Sequence, residues 1–284
     1  MPASSGQLIE ANRLAEPIRL HGVGVHSGAD VSVVVGPGEG GVVFHRTDTG
    51  GSVKADWRNV SATRLATVIA ENGTTVATVE HLMSALSALG VTDARVEIDG
   101  PEVPIMDGSA APFMAALAPK VVPGGPGEAI EVLRPVSVRA GSSFVAILPH
   151  PRRRFDVGID FPDPVIGVQR AIYDIDAEVF GREIAPARTF GRLKDVKRLR
   201  RRGYGRGASL ENAVAVDGER VANPEGLRFP DEFARHKLLD AVGDLALAGR
   251  PILGLYRAHK GGHRLNYQLL AALLSRSENF KIVA

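Results

Sequence analysis

Short apolar runs at Val31 to Val35 and Val42 to Phe44 predict strands in the first third of the chain, and Ala94 to Ile98 predicts a third. Between them the period changes. From Thr78 to Leu89 the apolar residues Val79, Leu82, Leu86 and Leu89 fall three and four apart, which predicts a helix, and Gly90 stops it. Further along, Ala129 to Val138 and Phe144 to Leu148 predict strands. A second long helix follows over Asp231 to Leu247, carrying Phe233, Leu238, Leu239, Val242 and Leu245, with Gly249 as its stop. Ile252 to Tyr256 predicts the strand after it, and Leu265 to Ser275 a final helix.

Both halves thus end in one phrase: a helix opening near a histidine, His81 or His236, then a glycine stop, then a strand. This predicts a duplicated unit and an α+β fold of two similar domains, each a layered sheet-and-helix sandwich. Between the halves, Pro119 to Gly127 gathers five Pro or Gly residues at its end, which suits neither a helix nor an interior strand. The expected division is therefore residues 1–118, a linker over 119–127, and residues 128–284 with an insert rich in Arg and Gly near 188–216. A length of 284 residues agrees with two domains.

Composition narrows the function. The stretch Met1 to Pro17 is broken by Glu10, Arg13 and Glu16, and no apolar run approaches a membrane span, so a cytoplasmic protein is expected. The net charge is only +2, with 34 basic and 32 acidic residues, which argues against a nucleic-acid binder; so does an aromatic content of 5%, since the arginine-rich stretch offers Tyr204 alone. The absence of cysteine removes disulfides, thiolate nucleophiles and thiolate metal ligands together. Any metal is left to His, Asp or Glu.

Of the eight histidines, His236 stands four residues before Asp240 on the second predicted helix, so both side chains leave one face and can converge on an ion; Asp244 extends the stripe by a turn. Such a pair is common on solvated faces, but Leu238, Leu239, Ala241 and Val242 surround this one with apolar residues, where charges are usually paired or ligating. On the first helix Glu80 and His81 form the only acidic and histidine pair. Glu80 could simply complement the helix dipole, with His81 a satisfied histidine beside it. Adjacent helical side chains diverge by about 100°, so one could instead bind a metal while the other addresses a water. His81, His236 and Asp240 together make a two-histidine, one-carboxylate set with a fourth position open, the form of a catalytic zinc site. A closed structural site would need a fourth protein ligand, for which the sequence offers no candidate. His263 follows Gly261 and Gly262 in a turn; it is either a plain helix-start residue or a general acid for an amine leaving group.

Six phrases carry a family resemblance: Gly22-Val23-Gly24-Val25-His26-Ser27-Gly28, Thr78-Val79-Glu80-His81-Leu82, Pro104 to Phe113, Ala187-Arg188-Thr189-Phe190-Gly191, His236 to Asp244, and Gly262-His263-Arg264-Leu265-Asn266. In this order, from about residue 7 to the end, they resemble the UDP-3-O-acyl-N-acetylglucosamine deacetylase family, the enzymes of an early step towards lipid A. The resemblance implies an active site at the domain interface, with one zinc ion per chain on His81, His236 and Asp240; whether iron(II) replaces it in the cell the sequence leaves open. It implies Glu80 as general base, His263 as acid steadied by Asp244, and Lys237 and Thr189 at the developing oxyanion. Phe190 would stack on the sugar or acyl region, and Val196, Leu210 and Ala215 would wall an acyl passage in the 188–216 insert. The implied partner is a UDP-linked acylated amino sugar; a monomer is expected, and composition argues against a nucleic-acid partner. The insert departs from the family pattern at Arg192 and in the run Lys197-Arg198-Leu199-Arg200-Arg201-Arg202. That run reads first as a solvated helix face and second as a contact with a diphosphate or with the anionic inner-membrane surface.

Overall fold

The computed structural model describes residues 10–284; the first nine positions of the expected N-terminal domain lie outside the described residues. The α-helices are α1 (Glu80–Ala88), α2 (Ala111–Leu117), α3 (Ala177–Val179), α4 (Leu193–Arg201), α5 (Glu232–Ala246) and α6 (His263–Leu274). In the first half, strands alternate in burial as their sequence does: within Asp30–Pro37 the side chains of Val31, Val33 and Val35 are buried and Asp30 is exposed. That alternation makes one face of a sheet apolar. Helices then have to cover it.

The duplicated unit is visible in the strand order. The first sheet runs Ile18–Val23, Asp30–Pro37, Ala94–Ile98, Val42–Arg46, Ser52–Lys54. The second runs Val136–Ala140, Ser143–Leu148, Ile252–His259, then Arg153–Asp160 and Val168–Asp174. In both, an antiparallel hairpin is followed by the strand that leaves the long helix, which pairs in parallel with the next strand. Helix α1 feeds the central strand of the first sheet and α5 that of the second, while α2 and α6 come after those strands. Ala129–Val132 and Phe280–Val283 extend the second sheet. The two similar α+β units expected from sequence are therefore present.

Each half also carries a small three-stranded sheet at the same point of its topology, between the last edge strand and the long helix. In the first half this is Val60–Ala62, Val68–Glu71 and Thr74–Ala77; the sequence reading did not single it out. In the second it is Phe190–Arg192, Val214–Asp217 and Arg220–Val221, with α4 connecting a parallel pair, so the insert expected near 188–216 runs a few residues further.

Some boundaries differ from expectation. Ala129 to Val138 is two strands, because Pro135 lies between Ala129–Val132 and Val136–Ala140 and cannot donate to a ladder. The final helix begins at His263 itself. The Pro and Gly segment 119–127 is not a plain tether, since Val121–Pro126 is a strand paired with Glu10–Leu14. An isolated two-stranded ribbon has no interior positions, which is why prolines are tolerated there.

Helices α1 and α5 pack against each other and join the apolar cores of both halves into one cluster. Every residue of α1 except Ser87 is buried. The approach depends on Gly243 of α5, where a β-carbon would lie 2.0 Å from the Glu80 carbonyl oxygen, at the first residue of α1. No side chain fits that gap. Gly243→Ala is therefore expected to lower stability by about 1–3 kcal/mol through overpacking, despite alanine's higher helix propensity. Denaturant unfolding of the two proteins checks it, and an unchanged or raised midpoint would show that the helices can separate freely.

Candidate active site

Helix α1 is aimed by a strained entry. Thr78 has φ of 57°, which a β-branched residue rarely adopts, and its hydroxyl donates to Glu102 Oε1 (2.8 Å). The buried Glu102 carboxylate also accepts the amides of His26 and Ser27, tying the glycine-rich loop 22–28 to the start of α1. Val79 caps the helix without a side-chain bond, so Glu80 and His81 occupy the first turn. Both are buried.

Helix α5 brings His236, Asp240 and Asp244 to the same place on one buried stripe. His236 Nδ1 donates to the Ala187 carbonyl (3.1 Å), which fixes the tautomer and leaves the Nε2 lone pair facing Asp240 Oδ1 at 3.4 Å. His81 Nε2 lies 3.9 Å from the same oxygen. The other oxygen, Asp240 Oδ2, accepts from Lys237 Nζ at 2.7 Å. One ligand atom from each of His81, His236 and Asp240 falls within 4.8 Å of the others, so the three could hold a metal ion. Burial, His236 and Asp240 shape the His81 pKa, and burial wins, lowering it to about 3; His236 is lowered for the same first reason. The rings are neutral with free lone pairs. Burial alone would raise Asp240, but His236, Lys237 and His263 outweigh it and hold the carboxyl well below the usual range. Buried His81 Nδ1 has no hydrogen-bond partner among the described residues, so the ring is not placed there to complete a protein network. Two neutral imidazoles and a carboxylate fit a divalent ion such as zinc.

A second group faces the first. His263, the first residue of α6, has Nε2 3.8 Å from Glu80 Oε1 and 3.9 Å from Asp240 Oδ2. Its Nδ1 donates to Asp244 Oδ2 at 2.9 Å, and that oxygen also accepts from Asn266 Nδ2 at 2.7 Å. Asn266 in turn accepts from the Tyr256 hydroxyl at 2.6 Å. Thr67, in the loop before the strand Val68–Glu71 of the first half's small sheet, spans the halves: its amide donates to Glu80 Oε2 (3.1 Å) and its hydroxyl to Asp244 Oδ1 (2.6 Å). Burial raises the Glu80 pKa to about 8. Burial lowers His263, but the carboxylates of Asp244 and Glu80 outweigh it and lift the ring to about 10. A carboxyl group with a raised pKa and an imidazolium that keeps its proton well above neutrality thus stand on either side of the candidate metal-ligand group.

Above them is a cavity of about 160 Å³ between the halves. Glu80, His81, His236, Lys237, Asp240 and His263 line it, and so do Thr189, Phe190 and Val196. The Thr189 backbone is held by bonds to Gly108 and Val214, both 2.7 Å, while its hydroxyl makes no hydrogen bond among the described residues. Phe190 is wedged edge-on between Phe161 (5.6 Å) and Phe233 (4.9 Å), with Lys237 Nζ 5.5 Å from its centroid. Of the three expected acyl-passage residues only Val196 reaches this cavity. Leu210 is 42% exposed and Ala215 lies within the small sheet; Leu199 and Ala213 line the wall instead. Helix α4 explains the difference, since it turns Val196 and Leu199 inward while Lys197, Arg198, Arg200 and Arg201 stay exposed. The sequence reading missed Thr67 and the structural roles of Glu102 and Asn266, and it named His26, which lines the cavity, only as part of a phrase. Asn266 had a signal, standing one turn after His263. Thr67 had none.

Residues 11–275 match the model of the UDP-3-O-acyl N-acetylglycosamine deacetylase (LpxC) family. The chain belongs to this family. A UDP-3-O-acyl-N-acetylglucosamine deacetylase of Myxococcus xanthus is 46% identical over 276 residues, covering 95% of this chain and 88% of the relative. One of Brucella ovis is 44% identical over 277 residues, covering 95% and 97%, and one of Campylobacter fetus 43% identical over 266, covering 92% and 90%.

The His263 environment can be tested directly. Asp244→Asn removes the first of the charges that raise this imidazole, while burial continues to lower it, so its titration should move down from about 10. An NMR titration of the ring in chelator-treated protein checks the shift. No movement would mean that Asp244 holds the ring only by geometry.

Proposed function

We propose that the chain hydrolyses the N-acetyl group of UDP-3-O-(3-hydroxyacyl)-N-acetylglucosamine, giving acetate and the free amine, the early committed step of lipid A biosynthesis. The observation that carries this is the juxtaposition of a metal-ligand triad with Glu80 and His263 on one buried cavity wall, in a member of a deacetylase family. His81, His236 and Asp240 would hold one zinc ion, with iron(II) as the cellular alternative. Bound there, the ion supplies Lewis acidity for an amide carbonyl and for an attacking water.

The remaining chemistry belongs to side chains. Glu80, ionised, takes the proton of the attacking water, and the amide of Thr67 holds its second oxygen in place. The Thr189 hydroxyl and Lys237 Nζ, both on the cavity wall, donate to the oxyanion as the carbonyl becomes tetrahedral. His263 gives its proton to the departing glucosamine nitrogen, and Asp244 keeps the ring turned towards it. Phe190 offers a rigid apolar edge to the sugar or acyl group, and Val196 with Leu199 forms the start of an acyl wall. No helix among the described residues is long and apolar enough to cross a membrane. A cytoplasmic monomer touching the anionic inner-membrane surface through the basic face of α4 completes the reading.

Metal content comes first among the tests. His81→Ala, His236→Ala and Asp240→Ala should each lower bound metal, measured by elemental analysis, and a chelator should abolish acetate release; full occupancy in all three would end the ligand assignment. Glu80→Gln keeps size and loses basicity, so it should retain the metal while turnover falls roughly 10²-fold to 10⁴-fold. Loss of the metal would make Glu80 a ligand instead.

The pH profile divides the two proton carriers. Activity should rise as Glu80 ionises, because only the carboxylate is a base, and should fall at high pH as His263 loses the proton it must donate. Since Asp244 and Glu80 lift the His263 pKa, the alkaline limb should stand above an ordinary histidine. Both limbs belong to the coupled centre. Turnover of His263→Gln across pH is the check, and a parental rate with an unchanged alkaline limb would remove His263 from the mechanism.

A further inference from the structure

A larger cavity, about 360 Å³, lies between the halves and shares no lining residue with the active-site cavity. The C-terminal ends of α1 and α5 form part of it, and apolar side chains, Met83, Leu89 and Val91 from the first half and Ile175 and Leu253 from the second, face into it. Its size falls within the ~300–1,000 Å³ typical of small-molecule sites.

Two cations line this largely apolar cavity, Arg153 and Arg250, and Arg250 is paired with Glu128. Arg152, Arg153 and Arg154 are consecutive, and the last two open the strand Arg153–Asp160, along which successive side chains point to opposite faces. Arg152 and Arg154 pair with Asp174 at 2.9 and 3.2 Å, whereas Arg153 turns the other way, into the interface. Its guanidinium donates to the carbonyl and the hydroxyl of Ser87 at 2.9 and 2.7 Å. No carboxylate among the described residues pairs with it. The two acidic residues of the cavity wall are engaged elsewhere: Glu128 pairs with Arg250 at 2.7 Å, and Asp176 accepts the Val179 amide at 2.8 Å. Burial alone lowers the Arg153 pKa to about 10.

Capping the last turn of α1 accounts for two of the five guanidinium donors, but not for the lack of a carboxylate partner among the described residues or for the space beside it. Arg153 is half-buried, and a partly desolvated charge gains from an anionic partner. A carboxylate matches the planar fork of an arginine, and an alkyl body matches the remaining walls. We propose that this cavity binds a small monocarboxylate with an apolar body, its carboxylate paired with Arg153 and its chain packed against Met83, Val91 and Leu253. The site is separate from the deacetylase reading and does not depend on it.

Octanoate is the probe, with octanamide as its neutral counterpart and inorganic phosphate as an anion without an apolar body. Isothermal titration of the whole protein should show an octanoate event that neither control reproduces. Arg153→Gln should weaken that event about tenfold or more, the usual worth of a hydrogen bond to a charged group. Ala246→Leu, which fills the cavity and leaves the arginine in place, should abolish it, and it decides the matter if Arg153→Gln does not fold. Octanoate bound in the acyl passage would be indifferent to both substitutions. The proposal is overturned if the parent shows no event, if octanamide binds as tightly, or if both variants bind octanoate as the parent does.

Discussion

At Gly243 the backbone of α5 passes so close to α1 that only a hydrogen can stand between them, with the Glu80 carbonyl on the other side. A glycine inside a helix costs about 1 kcal/mol relative to alanine, and that cost is borne where it lets two helices from different halves touch along their backbones. The arrangement of the candidate site follows from this contact. His81 comes from one helix and His236 with Asp240 from the other, so the distance between helices sets whether three ligand atoms can share one ion. Helix α6 and the Thr67 loop then close the arrangement from either side.

Close packing of polar groups has an electrostatic consequence. Glu80, His81, His236, Asp240, Asp244 and His263 are all buried, in an environment that penalises each charge. The outcome differs by neighbour. His81 and His236 give up their protons, Asp240 keeps its charge against Lys237 and the protonated His263, and His263 keeps its proton against Asp244 and Glu80. The candidate ligands are thus deprotonated and His263 charged in the same small volume, the division of states that the proposed amide hydrolysis would use.

The fold was legible where local pattern decides structure. The three- and four-residue spacing in α1 and α5, with glycine stops, located both long helices to within about two residues, as boundary reading usually allows. The repeat was legible as a phrase, and the strand order shows it as a topology. Where contacts across the molecule decide, pattern was silent. Leu210 and Ala215 were expected in an acyl wall and Leu199 and Ala213 were not, because only the path of α4 and the small sheet tells which of them faces the cavity. Thr67 bonds to partners 13 and 177 residues away, and no local signal marks such a residue.

The sequence by itself determined which atoms can act. A chain without cysteine leaves metal binding to nitrogen and oxygen, and a histidine four residues before an aspartate on an apolar helix must present both to one side. Tertiary structure decided what state those atoms are in. The same Glu80 on an isolated helix would titrate as an ordinary carboxylic acid, yet with α5 and α6 against it burial holds it at about 8. His263, at the open end of its own helix, is lifted to about 10 only because Asp244 and Glu80 are delivered to it by two other helices. Desolvation and charge pairing act through space, so protonation becomes defined only when the halves meet.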